Sequence, residues 1–372
     1  MPKVRLPGTH RAVAPESTWA RLEPLLSEFG ITRVADVTRL DNIGIPVYIA
    51  VRPLSETLAT SQGKGATALL AKLSAVMESV ELWHAEHPSP PTFSAAPAHL
   101  RLPYRLRQLN LRTTDVPLDD IQLNWLTATG MSDGQSVPVP LDVVRLSYSD
   151  DHFWRPRIFQ TSSTGLASGN TLAEACLHAL YEAVERHVLA TARVGERVDR
   201  ATITDDYLNS LLEKLRAAGA ELEIIHLPNQ FGLPTFEARV WSPLFPVVCS
   251  GSGTHRDPCV AASRAITEAV QSRLTEINST RDDIPSDFDI ATARVAASNF
   301  GVGGVSFADI SAVRPDTLDD WDRELDAVTA SVHAATGVQP VMVDLSTRPG
   351  LFRVVKVVCP GLTYSDGRML AA

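Results

Sequence analysis

Ala75-Val76-Met77-Glu78-Ser79-Val80-Glu81 recurs as Ala179-Leu180-Tyr181-Glu182-Ala183-Val184-Glu185, and again as Ala265-Ile266-Thr267-Glu268-Ala269-Val270-Gln271. In every copy the apolar residues fall at helical spacing and no proline interrupts, so the three stretches read as amphipathic helices. Each follows a glycine-containing run: Gln62-Gly63-Lys64-Gly65, Thr164-Gly165-Leu166-Ala167-Ser168-Gly169-Asn170, and Gly251-Ser252-Gly253-Thr254-His255. The acidic positions therefore recur on equivalent faces. Ser74, Glu78 and Glu81 share one stripe of the first helix, Glu174, Glu182 and Glu185 one face of the second, and Glu268 adds a third helix.

A second repetition joins a helix to two strands. Leu208 to Ala217 has a helical pattern and precedes the strand-like runs Glu221–Leu227 and Thr235–Trp241, with a turn through Gly232. Trp321 to Ala335 repeats the helix, followed by Gln339–Leu345, a turn through Gly350, and Arg353–Cys359. β-Branched, partly alternating residues mark the strands. The fold class expected is α/β (α+β), with αββ units in antiparallel or mixed sheets and the acidic helices converging on a central pocket. One domain over 1–372 is expected, with the proline-rich stretch from about 88 to 117 as a surface connection.

Composition narrows the function. At 44% hydrophobic and 21% charged residues the chain reads as soluble and globular. A net charge of -9 leaves no broad basic surface for a phosphate backbone, so nucleic acid is not an expected partner. No run is long and apolar enough to span a bilayer, and the basic N-terminus lacks a following apolar stretch, so the expected location is the cytoplasm without membrane attachment. Cys176, Cys249, Cys259 and Cys359 are scattered without metal-site spacing and read as buried free thiols. His84, His87, His178 and His187 read as packing or capping residues.

Any one of these glutamates has a plain reading as a solvated residue on a helix face. As a set they conflict with one another, because like charges three or four residues apart repel and few lysines balance them. Divalent cations resolve the conflict, and carboxylate oxygens suit Mg²⁺ bridged to substrate phosphates. There is no Walker motif, because Gly63-Lys64-Gly65 lacks the upstream glycine and the following Ser or Thr. Its place ahead of an acidic helix still lets Lys64 and backbone amides face an anion.

The run Ser61-Gln62-Gly63-Lys64-Gly65 through Ser74, Glu78 and Glu81 resembles the first signature of the YcaO family. Gly165 to Thr171 with Glu174, Glu182, Glu185 and Arg186 resembles the second, and Arg264 to Arg273, with Glu268 and Gln271, is similar to the third. The resemblance implies a YcaO-type fold around an ATP site in which Glu78, Glu81, Glu174, Glu182, Glu185 and Glu268 hold Mg²⁺. It implies that Arg11, Thr18, Lys64, Ser74, Asn170, Arg186, Arg264 and Gln271 contact nucleotide, and that Glu182, Glu185 and Arg186 are catalytic.

The chemistry implied is ATP-dependent O-phosphorylation of a backbone amide in a peptide or protein, then attack by a nucleophile. A neighbouring side chain gives an azoline, sulfide a thioamide, and an amine an amidine. Two departures from the family pattern stand out: Leu82 replaces the arginine that usually follows the second glutamate, and the final residues Gly367–Ala372 lack the proline-rich tail of azoline formers. The second favours thioamide formation in a ribosomal peptide or protein, assisted by a TfuA-type partner. A cyclodehydratase with a leader-binding partner is the alternative. A non-catalytic scaffold subunit that binds nucleotide or peptide is a reading of another class. The family resemblance further implies a homodimer.

Overall fold

The structure, a computed structural model, describes residues 3–112, 117–147, 158–278, 300–301, 303–311 and 319–364. A hairpin of β1 (Val4–Leu6) and β2 (Thr9–Arg11) leads into α1 (Pro15–Leu22), β3 (Arg33–Asp36), β4 (Val47–Val51), β5 (Thr60–Lys64) and α2 (Ala68–Glu86). Next come β6 (Thr92–Ala95), β7 (Leu123–Gly130), β8 (Ser136–Pro140), a short α3 (Leu141–Val144), β9 (Leu166–Gly169) and α4 (Leu172–Thr191). The chain continues through β10 (Glu196–Asp199), α5 (Asp206–Ala217), β11 (Glu221–His226), β12 (Thr235–Ser242), β13 (Phe245–Thr254) and α6 (Pro258–Asn278). After β14 (Val305–Ser306) and α7 (Phe307–Ser311), it ends with α8 (Trp321–Thr336), β15 (Val341–Asp344) and β16 (Arg353–Val358).

Three sheets carry the strand orders β3-β4-β5, β13-β12-β11-β10-β14, and β6-β7-β15-β16-β9 with β8 paired to β7. Among the described residues β10 and β14 pair in parallel; the neighbouring pairs are antiparallel, which gives the mixed architecture expected. Both predicted αββ units form: β11 pairs β12 and β15 pairs β16 as antiparallel hairpins behind α5 and α8.

Each hairpin also accepts a third strand, the glycine-rich run ahead of an acidic helix. Thus α5-β11-β12 joins β13-α6, α8-β15-β16 joins β9-α4, and α1-β3-β4 joins β5-α2, giving three copies of one α-β-β-β-α unit. The copy containing α4 is split, its second half lying mid-chain and its first half at the chain's end. In every copy the two helices pack together: α1 on α2, α8 on α4, α5 on α6.

Glycine lets each acidic helix settle directly on its strand. A Cβ on Gly63 would lie 2.0 Å from the Ala75 nitrogen, and one on Gly251 2.2 Å from that of Ala269. Real side chains do not tolerate such distances, so only glycine permits this approach. Gly65, Gly169 and Gly253 abut Ala71, Ala175 and Ala265 in the same way. These contacts align Ala75 with Ala179 and with Ala269, which moves the third helix one turn from the alignment in which Ala265 matches Ala75.

The ring closes on itself, because α2 reaches β9 of the second unit, α4 reaches β13 of the third, and α6 reaches β5 of the first. The stretch from Pro88 to Pro117 is more than a surface connection: β6 pairs with β7, and Tyr104, Leu106 and Leu109 are buried in the core. Cys176, Cys249 and Cys359 are buried free thiols as expected, and Cys259 is partly exposed. Among the described residues no helix is long and apolar enough to cross a membrane.

Candidate functional site

The acidic side chains lie where each helix meets the next unit. Glu81 on α2 accepts a hydrogen bond from Ser168 on β9, and Glu185 on α4 accepts one from Ser252 on β13 at 2.8 Å. On α6 the equivalent position is Thr275, which donates to the Gln62 side chain on β5. Glu78 accepts from the Gln62 amide at 2.9 Å, Glu182 from the Gly165 amide at 3.3 Å, and Glu268 from Lys64 at 2.7 Å. The third unit thus replaces the paired glutamates by Ser272 and Thr275 and carries its acid one turn earlier.

Glu174 is fully buried at the start of α4, whose N-cap is Thr171. The Asn170 amide and side chain donate to its Oε2 at 2.8 and 3.2 Å, while its Oε1 is buried without a hydrogen-bond partner. Arg11, brought in by β2, sits 3.6 Å from that oxygen and 3.1 Å from a ring nitrogen of His178. Thr18 on α1 donates to Asn170 Oδ1 at 2.8 Å. Arg264 is half-buried and close enough to Arg11, His178 and Glu268 to act on the charge of each. Ser74 and Gln271 are half-buried and make no side-chain hydrogen bond among the described residues.

Charge shows how tightly the set converges. Burial works against the Arg186 guanidinium, yet Glu185, Glu268, Glu182 and Glu78 together hold its pKa above the ordinary value, so acids from three helices surround one cation. Burial pushes Glu81 up to about 8; the Ser168 hydrogen bond opposes this, and repulsion from Glu78 and Glu182 adds to it. Burial likewise raises Glu182 to about 7, with Arg186 opposing and Glu185 adding. Burial also raises Glu268, but Lys64, Arg186 and Arg264 outweigh it and hold the carboxyl below its ordinary value.

Two carboxylates that resist ionisation, and a buried Glu174 oxygen that accepts no hydrogen bond and faces Arg11 at 3.6 Å, form an oxygen-donor set that hard divalent cations fit. As the side chains stand, no group of three or more among the described residues is arranged to hold one ion. Several are turned onto the protein's own serines, amides and lysine instead.

The fourteen residues expected from the sequence lie on or beside these elements, and Ser74, Gln271 and Arg264 are the three whose side chains make no hydrogen bond or ion pair among the described residues. The reading missed the groups that hold the acids: Ser168, Ser252, Gln62 and, behind them, Lys356. Lys356 is buried on β16 and donates to the carbonyls of Ser162 and Thr164 at 2.6 and 2.8 Å, fixing the loop whose Gly165 amide meets Glu182. Burial lowers its pKa to about 8, with Glu182 opposing. His178 also departs from expectation by facing Arg11, whereas His84, His87 and His187 pack or cap as read. Leu82 is buried in the core, while Arg186, its counterpart on α4, faces the acids.

A family model described as YcaO cyclodehydratase, ATP- and Mg²⁺-binding, matches residues 62–363. A protein of Mycobacterium tuberculosis is 38% identical over 370 residues, covering 96% of this chain and 84% of the relative. A protein from the tfuA 3' region of Rhizobium leguminosarum bv. trifolii is 35% identical over 382 residues, covering 95% and 88%. The solved YcaO from Methanopyrus kandleri bound with AMPPCP and Mg²⁺ superposes with a TM-score of 0.78 at 21% identity, covering 98% of this chain and 95% of that one. A heterocyclase in complex with substrate and cofactor also gives 0.78 at 21% identity, and the chain spans 55% of its length.

Proposed function

The chain belongs to the YcaO family, and from that premise we propose that it uses ATP and Mg²⁺ to activate a backbone amide of a peptide or protein. The observation that carries the reading is the crowd of carboxylates from three helices around Arg186, together with a buried Glu174 oxygen that accepts no hydrogen bond and faces Arg11 at 3.6 Å. Glu78, Glu81, Glu174, Glu182, Glu185 and Glu268 would hold the cations, which offset charge on the triphosphate. Arg11, Thr18, Lys64, Ser74, Asn170, Arg264 and Gln271 line the nucleotide's place, and Arg186 meets the charge developing on the transferring group.

In the proposed reaction the amide oxygen attacks the γ-phosphorus, an O–P bond forms, and ADP leaves. A nucleophile then adds to the former carbonyl carbon, and phosphate departs with the oxygen. The chain's own residues orient and stabilise charge throughout, which is where most of the rate comes from in phosphoryl transfer. Thioamide formation is the product we favour, with sulfide as nucleophile and a TfuA-type partner; a relative from a tfuA 3' region supports it. A homodimeric enzyme acting in the cytoplasm as one domain completes the proposal.

The test is Mg²⁺-dependent ATP hydrolysis with and without candidate peptide, followed by mass spectrometry of the peptide. Exchange of oxygen for sulfur supports a thioamide, and loss of water points to an azoline or amidine. A folded protein that neither binds nor hydrolyses ATP with Mg²⁺ would leave the scaffold reading in its place.

A further inference from the structure

His178 lies one helical turn before Glu182 on α4. The glycine contacts that align Ala75, Ala179 and Ala269 also align His178 with Ser74 of α2 and with Glu268 of α6. The proposed activity gives Ser74 to the nucleotide and Glu268 to the cations. It leaves the histidine at the third equivalent position without a task.

The imidazole is closely engaged. Nη1 of Arg11 lies 3.1 Å from one ring nitrogen and 3.3 Å from the other, and the Ser168 carbonyl lies 3.3 Å from Nδ1. Trp321 packs edge-on, with 6.4 Å between ring centres. A guanidinium only donates and a carbonyl only accepts, so the neutral ring with its proton on Nδ1 satisfies both neighbours. Its Nδ1–H donates to Ser168, and the Nε2 lone pair takes a proton from Arg11. Burial, with Arg11 and Arg264 close by, holds the imidazole well below its ordinary pKa, which keeps that lone pair in place.

The effect of this contact on Arg11 is visible at Glu174. The same Nη1 stops 3.6 Å from Glu174 Oε1, and that buried oxygen accepts no hydrogen bond. An unrestrained guanidinium and carboxylate close to about 2.7–2.9 Å. Closure here would use up, in one internal ion pair, both a cation fit for phosphate and a carboxylate fit for Mg²⁺. By engaging Nη1, His178 holds the pair open. Ser168, which anchors the imidazole through its carbonyl, also donates its hydroxyl to Glu81, so one residue of β9 fixes both groups.

We propose that His178 is a positioning residue for nucleotide binding: its neutral imidazole holds the Arg11 guanidinium back from Glu174, leaving the first for the phosphates of ATP and the second for Mg²⁺. The inference rests on the reading that the chain binds ATP with Mg²⁺, and it adds a residue that reading does not use.

The experiment measures calorimetric binding of AMPPCP with Mg²⁺, and ATP turnover, in the full chain. His178→Phe fills the space without an acceptor; His178→Gln can accept from Arg11 with its amide oxygen and donate to Ser168 with its nitrogen. His178→Phe is expected to weaken AMPPCP binding and raise the KM for ATP by about tenfold or more, with kcat within about twofold of the parent. His178→Gln should recover the KM to within about threefold of the parent. In an Arg11→Ala background the phenylalanine should add nothing further. His178→Ala stands in if the phenylalanine variant does not fold. Additive losses in the double variant, or a glutamine variant no better than phenylalanine when both melt like the parent, overturn the positioning role while nucleotide binding by the parent stands. A parent chain that binds no AMPPCP with Mg²⁺ overturns the nucleotide reading itself, and this inference with it.

Discussion

The Lys64 ammonium lies 2.7 Å from the Glu268 carboxylate, tying the strand of the first unit to the helix of the third. Both groups are largely buried, at 17% and 21% side-chain exposure, so the pair is only partly screened. Lys64→Met is expected to raise the KM for ATP and to lower stability by about 1 kcal/mol, with Lys64→Arg recovering most of both. A double-mutant cycle with Glu268→Gln on thermal unfolding measures the coupling. Strictly additive effects would mean the two side chains act independently.

Glu182→Gln and Glu185→Gln should each lower ATP turnover by about 10²-fold or more, since charge stabilisation supplies most of the rate. Neither should unfold the protein. Burial already disfavours the Glu182 charge, so its glutamine variant is expected to melt at or above the parent temperature without Mg²⁺. Circular dichroism melts beside ATPase assays check both, and normal turnover in a folded variant removes that residue from the site.

Stability without divalent cations should fall as pH rises. Glu81 and Glu182 have folded pKa values of about 8 and about 7, above the ordinary 4.5, so the folded state holds protons that the unfolded state has lost. Their contribution is fully present below 4.5 and disappears as pH climbs through 7 and 8. Mg²⁺ should flatten this decline by favouring the ionised forms. Melting curves from pH 5 to 8.5 in EDTA and in Mg²⁺ that superimpose would contradict a cation site among these acids.

Gly63→Ala should be strongly destabilising, because its Cβ would sit 2.0 Å from backbone nitrogen of Ala75. Overpacking costs about 1–3 kcal/mol where neighbours can move, and helix backbone moves little. Gly350→Ala, where nothing lies within 4 Å, is the control and should be silent. Urea denaturation compares them, and equal midpoints would argue against the close approach.

Lys3 is paired with Glu324 on α8, both side chains being buried, and Tyr181 donates to the same carboxylate. Lys3→Met leaves the buried acid without its counter-charge, which costs about 3–5 kcal/mol. It should also loosen the strand that carries Arg11 towards Glu174, raising the KM for ATP more than it lowers kcat. Hydrogen exchange across residues 3–11 reads the loosening directly, and unchanged protection there would break the link.

The acidic helices were legible because 3.6-residue periodicity and repeated glutamates survive in one dimension. The hairpins Glu221–Ser242 and Val341–Val358 were legible for the matching reason, their β-branched alternation. The copy formed by α1, β3 and β4 was not. Arg33-Val34-Ala35-Asp36 is only half apolar, and Pro46 and Gly44 interrupt the approach to β4, so the run carries little strand signal. The one-turn offset of the third helix has its own cause: Ala261, Ala265 and Ala269 repeat every four residues, so either alignment fits the letters. Only the contacts of Gly251 and Gly253 decide it. Ser168, Ser252 and Lys356 escaped notice because their partners lie far away along the chain.

The divided second unit bears on synthesis. β9 and α4 leave the ribosome long before β16, the strand that pairs with β9, has been made. Until then the nascent chain holds Glu174, Glu182 and Glu185 on a helix whose sheet is missing its inner strands. The sheet that backs these acids therefore cannot close until translation has passed Val358.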